Sequence, residues 1–264
     1  MPVAARDKTY VAIPKKYEKQ IKENIDNKGS KIHQDVINVS AKWTDPNASK
    51  VEWTTGDIVK WKWKSFRGDK NNYIFELKAQ FISHYRSVLK DAATKYDIPE
   101  FLLAGVTFAE FGGDPMWIDD VAYISRSFDW SGPDWVDRNM TILKDPNLTS
   151  FGNISIQVRR AAEELGYDVK KMSSDEKSAL IASLKNPIQN IYIAAKHLST
   201  LKQIDFADKL TTELTSDDIK VIATRYNRGP NLSLEKIKEN LSYGESLYRH
   251  QAKINNALNP SNQK

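Results

Sequence analysis

Cysteine is absent from all 264 residues, which excludes disulfides, thiolate catalysis and cysteine-ligated metal sites but does not reveal the compartment. Histidine is scarce. His33, His84, His197 and His250 are scattered at spacings that fit no HExxH motif, and no EF-hand loop is present, so no metal is expected. The chain has no P-loop, no GxGxxG after a strand and no GxSxG elbow, and no cofactor is expected. No apolar run approaches the roughly 20 residues that a membrane-spanning helix needs. The opening "MPVAARDKTYVAIPKK" lacks the apolar core of a secretory signal, so export by that route is not expected.

The composition that remains is ordinary for a globular chain, with 40% hydrophobic and 28% charged residues. The length suits one large domain, or a domain with an extension. A formal charge of +5 and a pI near 9.0 favour an acidic partner such as nucleic acid, anionic lipid or bacterial wall polymer. Because no nucleic-acid motif accompanies the charge, nucleic acid is not the expected partner.

The texture changes near residue 72. Residues 1–72 form a Lys-rich N-terminal extension, with a helical stretch at "KKYEKQIKENI" and a packing relation to the body that the sequence leaves open. In "IVKWKWKSF", Lys60, Lys62 and Lys64 alternate with Trp61 and Trp63 at the period of a strand. This reads as an amphipathic strand or arm that packs its Trp face on the body, or as a sugar-stacking or anion-binding surface.

Residues 73–264 read as a mainly α domain. Phe75, Phe81, Ile82, Tyr85, Val88, Leu89 and Ala92 form a stripe at three- and four-residue spacing. A shorter helix follows from about Pro99 to Phe111, stopped by Gly112 and Gly113. Ser173 and Glu176 make a capping box, and Asn186 with Pro187 starts a helix that buries Ile188, Ile191, Tyr192, Ala195 and Leu198. "TSDDIKVIATRYN" and "LSLEKIKENLSYGESLYRHQAKI" complete the helical series. There is no internal repeat and no strand–helix alternation.

The segment "FLLAGVTFAEFGGDP" raises a chemical question, because Phe101 to Phe111 carry a single charge, at Glu110. In the last turn of an apolar helix, the carbonyl end of the dipole and burial beside Phe108 and Phe111 both disfavour a carboxylate and push its pKa up. A carboxyl that keeps its proton near neutral pH is what glycosidic cleavage asks of a general acid. The same pattern also fits a capping or salt-bridged Glu that ends a buried helix.

Four segments in order over roughly residues 97–230 add to this. "LLAGVTFAEFGGDP" resembles the catalytic-Glu helix of the lytic transglycosylase and goose-type lysozyme superfamily, and "TSFGNISIQVRRAA" resembles its Ser-Gly-Gln turn entering a helix. "NPIQNIYIAAKHLSTL" is similar to its "NP…N…AAKYL" helix, and "ATRYNRGP" to its "AYNAGP" turn. The resemblance implies a lysozyme-like helical domain in which Glu110 is the general acid. It places Tyr226 and Asn227 beside the acid and the sugar, and makes Ser150 and Gln157 substrate contacts. Two departures stand out: either Gln157 or Ser155 occupies the Gln position, and Arg228 replaces a small residue. Without the other motifs, Tyr226 reads as a core aromatic and Asn227-Arg228-Gly229-Pro230 as a turn.

Between the first two motifs, "DPMWIDDVAYISRSFDWSGPDWVD" mixes aspartates with Trp117, Trp130 and Trp135, a composition suited to a cleft wall or to a solvated loop. Asp120 and Asp129 are the candidates for a second carboxylate, with Trp130 a candidate sugar platform. The expected activity is cleavage of the β-1,4 bond between N-acetylmuramic acid and N-acetylglucosamine in peptidoglycan glycan strands, by hydrolysis or by transglycosylation. A wall-binding or structural lysozyme-like module is the alternative. With no signal sequence, the expectation is an antibacterial effector made in the cytoplasm, delivered by a secretion machine to the periplasm of a target cell and blocked in siblings by an immunity protein.

Overall fold

In the computed structural model, the described residues are 29–43, 55–68, 72–111, 150–151 and 154–260. They are mainly helical. The elements run α1 (Gly29–Ala41), α2 (Thr55–Phe66), α3 (Asn72–His84), α4 (Arg86–Lys95), α5 (Glu100–Glu110), β1 (Ser150–Phe151), β2 (Ile156–Gln157), α6 (Val158–Glu164), α7 (Ser174–Lys185), α8 (Pro187–Phe206), α9 (Ser216–Arg228), α10 (Leu234–Lys238), α11 (Ser242–Arg249) and α12 (Gln251–Leu258). No helix among the described residues is long and apolar enough to cross a membrane.

Local chemistry sets several of these boundaries. Ser173 and Glu176 form the reciprocal capping box of α7, and the Asn186 side chain accepts from the Ile188 and Gln189 N–H groups ahead of Pro187, a cap that stabilises a helix by about 1 kcal/mol. α9 opens on a second capping box, Thr215 with Asp218. α5 begins one residue later than its spacing suggests, with extended Pro99 as its N-cap. The stripe from Phe75 to Ala92 is shared by α3 and α4, which meet at Tyr85; the Leu89 N–H still bonds the Tyr85 carbonyl, so the buried face continues across the joint. The C-terminal helical run is divided among α10, α11 and α12.

One expectation is overturned. "IVKWKWKSF" lies in α2, a helix, and not in a strand. The alternation of Lys and Trp coexists with a helical spacing, Val59, Trp63 and Phe66, and the strand preference of Trp depends on packing against neighbouring strands; Trp63 is instead exposed and does not pack on the body. The "KKYEKQIKENI" stretch lies outside the described residues.

α8 is the central element. Its buried Ile191, Tyr192, Ile193, Ala194, Ala195, Leu198 and Leu201 occupy nearly every side of the helix, as a helix surrounded by others requires. α1 joins the same core through Val36, and the Trp43 indole N–H donates to the Tyr192 hydroxyl. The two-residue strands pair antiparallel, Ser150 with Gln157 and Phe151 with Ile156. Asn190 of α8, fully buried, fastens this hairpin by accepting from the Ile154 N–H at 2.7 Å and donating to the Ile154 carbonyl at 3.3 Å.

Candidate active site

α5 delivers Glu110 to its last turn, after seven consecutive buried residues from Leu102 to Phe108. Glu110 keeps partial exposure, so solvent or a ligand can reach a carboxyl that is mostly enclosed. Burial raises its pKa from the ordinary 4.5; a hydrogen bond from Tyr243 and the charge of Lys78 oppose the rise without cancelling it. The Tyr243 hydroxyl donates to Glu110 Oε1 at 2.6 Å, so Oε2 is the oxygen on which a proton can sit without breaking that bond.

Lys78 of α3 is 8% exposed. Its ammonium donates to the carbonyls of Phe108 at 2.7 Å and Ala109 at 2.9 Å, satisfying two of the acceptors that a helix end leaves open. A cation at this end offsets the unfavourable dipole that the Glu110 position implies. Burial pushes the Lys78 pKa down to about 8, while the Glu110 charge pulls the other way.

Tyr226 of α9 completes the cluster. Its hydroxyl donates to the Ser155 carbonyl at 3.3 Å, and burial, then the nearby Glu110 charge, holds its pKa well above the phenol range. Tyr243 behaves in the same way, through burial and then the charge of Glu110. Both phenols therefore stay protonated, as donors, at any physiological pH.

The structure thus brings Tyr226 near enough to Glu110 to feel its charge, and the Ser155 carbonyl ahead of β2 onto the Tyr226 hydroxyl. Asn227 is exposed beside Tyr226. Gln157 pairs by its backbone with Ser150 and is the N-cap of α6, with no side-chain cap bond; it is the Ser155 carbonyl that meets Tyr226. Arg228 donates to the Lys236 carbonyl at 2.8 Å, and buried Arg225 pairs with Asp205 and holds the carbonyls of Pro230 and Leu232, bracing the turn after α9. Asp120, Asp129 and Trp130 lie outside the described residues.

Sequence reasoning missed Tyr243, Lys78 and a second buried carboxylate, Glu164. Lys78 had a readable signal, since it falls at i+3 from Phe75 and i−4 from Ile82 on a buried stripe, and a lysine at a core position needs a partner. Tyr243 had none. Burial pushes Glu164 up, but the His197 hydrogen bond and charge, Lys196 and Thr200 outweigh it and hold the carboxyl below its usual range. His197 Nδ1 lies 3.0 Å from Glu164 Oε1, and the His197 ring packs 5.4 Å from the Tyr226 ring. Glu164, held below its usual range, is therefore an ionised anchor behind Tyr226, whereas Glu110 is a partly open carboxyl whose proton burial holds more tightly than usual. Among the described residues, no group of three or more His, Cys, Asp or Glu could hold a metal ion. The chain matches no protein-family model, no curated protein and no solved structure.

Proposed function

We propose that this chain is a peptidoglycan-cleaving muramidase, built on a lysozyme-like helical domain, with Glu110 as its general acid. The observation that carries the reading is the Glu110 carboxyl, raised in pKa by burial yet partly open, with one oxygen held by Tyr243 and Tyr226 close enough to feel its charge. The order of the four resembling segments supports the same reading. In the proposed reaction, Glu110 Oε2 gives its proton to the glycosidic oxygen as the bond to the muramic acid carbon breaks, and the Tyr243 donor bond steadies the carboxylate that forms. The ionised Glu110 then takes a proton back as an oxygen attacks that same carbon, either from the attacking water, which completes hydrolysis, or from the sugar's own hydroxyl, which closes a ring.

Clearing of purified sacculi tests this. Glu110→Gln should lower the rate by at least about 100-fold, because an amide cannot donate the proton, while sacculus binding persists. Retention of wild-type activity refutes the acid assignment, and binding without clearing by the wild-type chain leaves the wall-binding module. Product analysis divides the two chemistries, with 1,6-anhydro ends marking transglycosylation and reducing ends hydrolysis. As an antibacterial effector, the chain should lyse cells when targeted to the periplasm and Glu110→Gln should not; toxicity confined to cytoplasmic expression refutes that role.

A further inference from the structure

α2 turns an apolar ridge outward. Val59, Trp63 and Phe66, spaced i, i+4 and i+7, are 63%, 64% and 89% exposed, and this spacing puts all three on one helix face. The opposite face is tied to the body, where the Tyr73 hydroxyl donates to Asp57 at 2.7 Å and the Lys64 ammonium sits 4.8 Å from the Tyr73 ring centre. The helix is therefore held with its ridge pointing away from α3. Exposed Lys60 and Arg67 lie along one side of the ridge, and the sequence of residues 55–68 has four basic residues against one acidic.

From this juxtaposition of an outward aromatic ridge and flanking cations we propose that α2 is an interfacial anchor for an anionic lipid surface. Helices that lie in a bilayer interface combine an apolar face rich in Trp and Phe with Lys and Arg beside it. The cations keep their heads among anionic headgroups while their stems lie along the apolar boundary. The size of the ridge argues against a protein partner: three side chains on one twelve-residue helix fall far short of the roughly 800 Å² per side that a stable interface buries. A bilayer asks only for shallow insertion of a few apolar groups plus charge attraction. The anchor is argued separately from the chemistry at Glu110, since it rests on the outward side chains of α2, 64% and 89% exposed at Trp63 and Phe66.

The full chain should co-sediment with vesicles of equal parts phosphatidylglycerol and phosphatidylcholine at low salt and not with phosphatidylcholine alone, and added salt should weaken the binding. Trp63→Ser combined with Phe66→Ser should weaken it by about tenfold or more, with the circular dichroism and melting of the wild type. Phe66→Ser alone, at the most exposed position, should give a smaller loss of the same kind. The proposal is overturned if the chain stays in solution with anionic vesicles, or if the double variant sediments like the wild type. It is equally overturned if sedimentation of the chain alone shows a dimer that the double variant dissociates, which would make the ridge an interface between copies.

Discussion

At Glu110 a single carboxyl is balanced between burial, which favours its neutral form, and two groups that favour its charge, Tyr243 and Lys78. Neither is strong enough to restore an ordinary carboxylate, and the balance suits a group that must both give and retake a proton. Removing either opponent should raise the Glu110 pKa further. A general acid works only while protonated, so Tyr243→Phe and Lys78→Met should each move the alkaline limb of the pH–rate profile for sacculus clearing to higher pH, whatever they do to the maximum rate. A carboxyl NMR titration of Glu110 in the same variants checks the cause without reference to activity. Limbs and titrations coincident with the wild type would mean that these residues serve only as packing.

Glycines let the helix of Tyr243 pack closely against both α5 and α9, a side chain filling the space at one and backbone at the other. Gly105 of α5 faces Leu247, where an added Cβ would lie 2.7 Å from the Leu247 side chain, and Gly244 of α11 faces the backbone of α9, where an added Cβ would lie 2.3 Å from the Lys220 carbonyl. Gly244 also donates its N–H to the Thr224 hydroxyl at 3.2 Å. Alanine in place of glycine inside a helix ordinarily stabilises by about 1 kcal/mol. Backbone atoms at 2.3 Å cannot yield as a side chain can, and overpacking of this kind costs about 1–3 kcal/mol. Gly244→Ala should therefore lower the melting temperature and, by pushing α11 off α9, weaken the Tyr243 bond to Glu110. A melting temperature at or above the wild type would refute the close-packed seam. α2 teaches the complementary lesson, since its Lys and Trp residues satisfy two periods at once, and only the helix explains the exposed alignment of Val59, Trp63 and Phe66.

Across the whole molecule, buried polar side chains join segments far apart in sequence. His33 of α1 is hydrogen-bonded to the Tyr167 hydroxyl at 2.7 Å and to the Ser183 hydroxyl at 2.6 Å. Lys202 of α8, 1% exposed, donates to the Asp97 carboxylate and carbonyl and to Thr211, and so holds Asp97 at its positive φ of 48° just before α5. Such links fix where the helix of Glu110 starts, and the core then carries a carboxyl whose ionisation it resists. Because the folded-state pKa is raised, the native chain binds more protons than the unfolded chain above the ordinary 4.5, and its stability falls as pH rises from there toward the raised value. Glu110→Gln lacks this penalty. The melting temperature of the variant relative to the wild type should therefore grow as pH increases through that window and then level off. A difference that stays constant with pH would mean that Glu110 is not held neutral by the fold.

Local signals determined much of the chain: the apolar stripes, the caps at Ser173 and Asn186, and the isolated charge at Glu110 are written in neighbouring residues, because helix periodicity and capping act over three or four positions. Tertiary structure alone decided what surrounds that charge. Tyr243 lies 133 residues from Glu110, and the carbonyls that Lys78 engages lie 30 and 31 residues along the chain. Pairs of this kind are fixed by how α3, α5, α9 and α11 pack, which depends on the summed shape of the core and on glycines that let helices approach closely, and no short window of sequence encodes that sum.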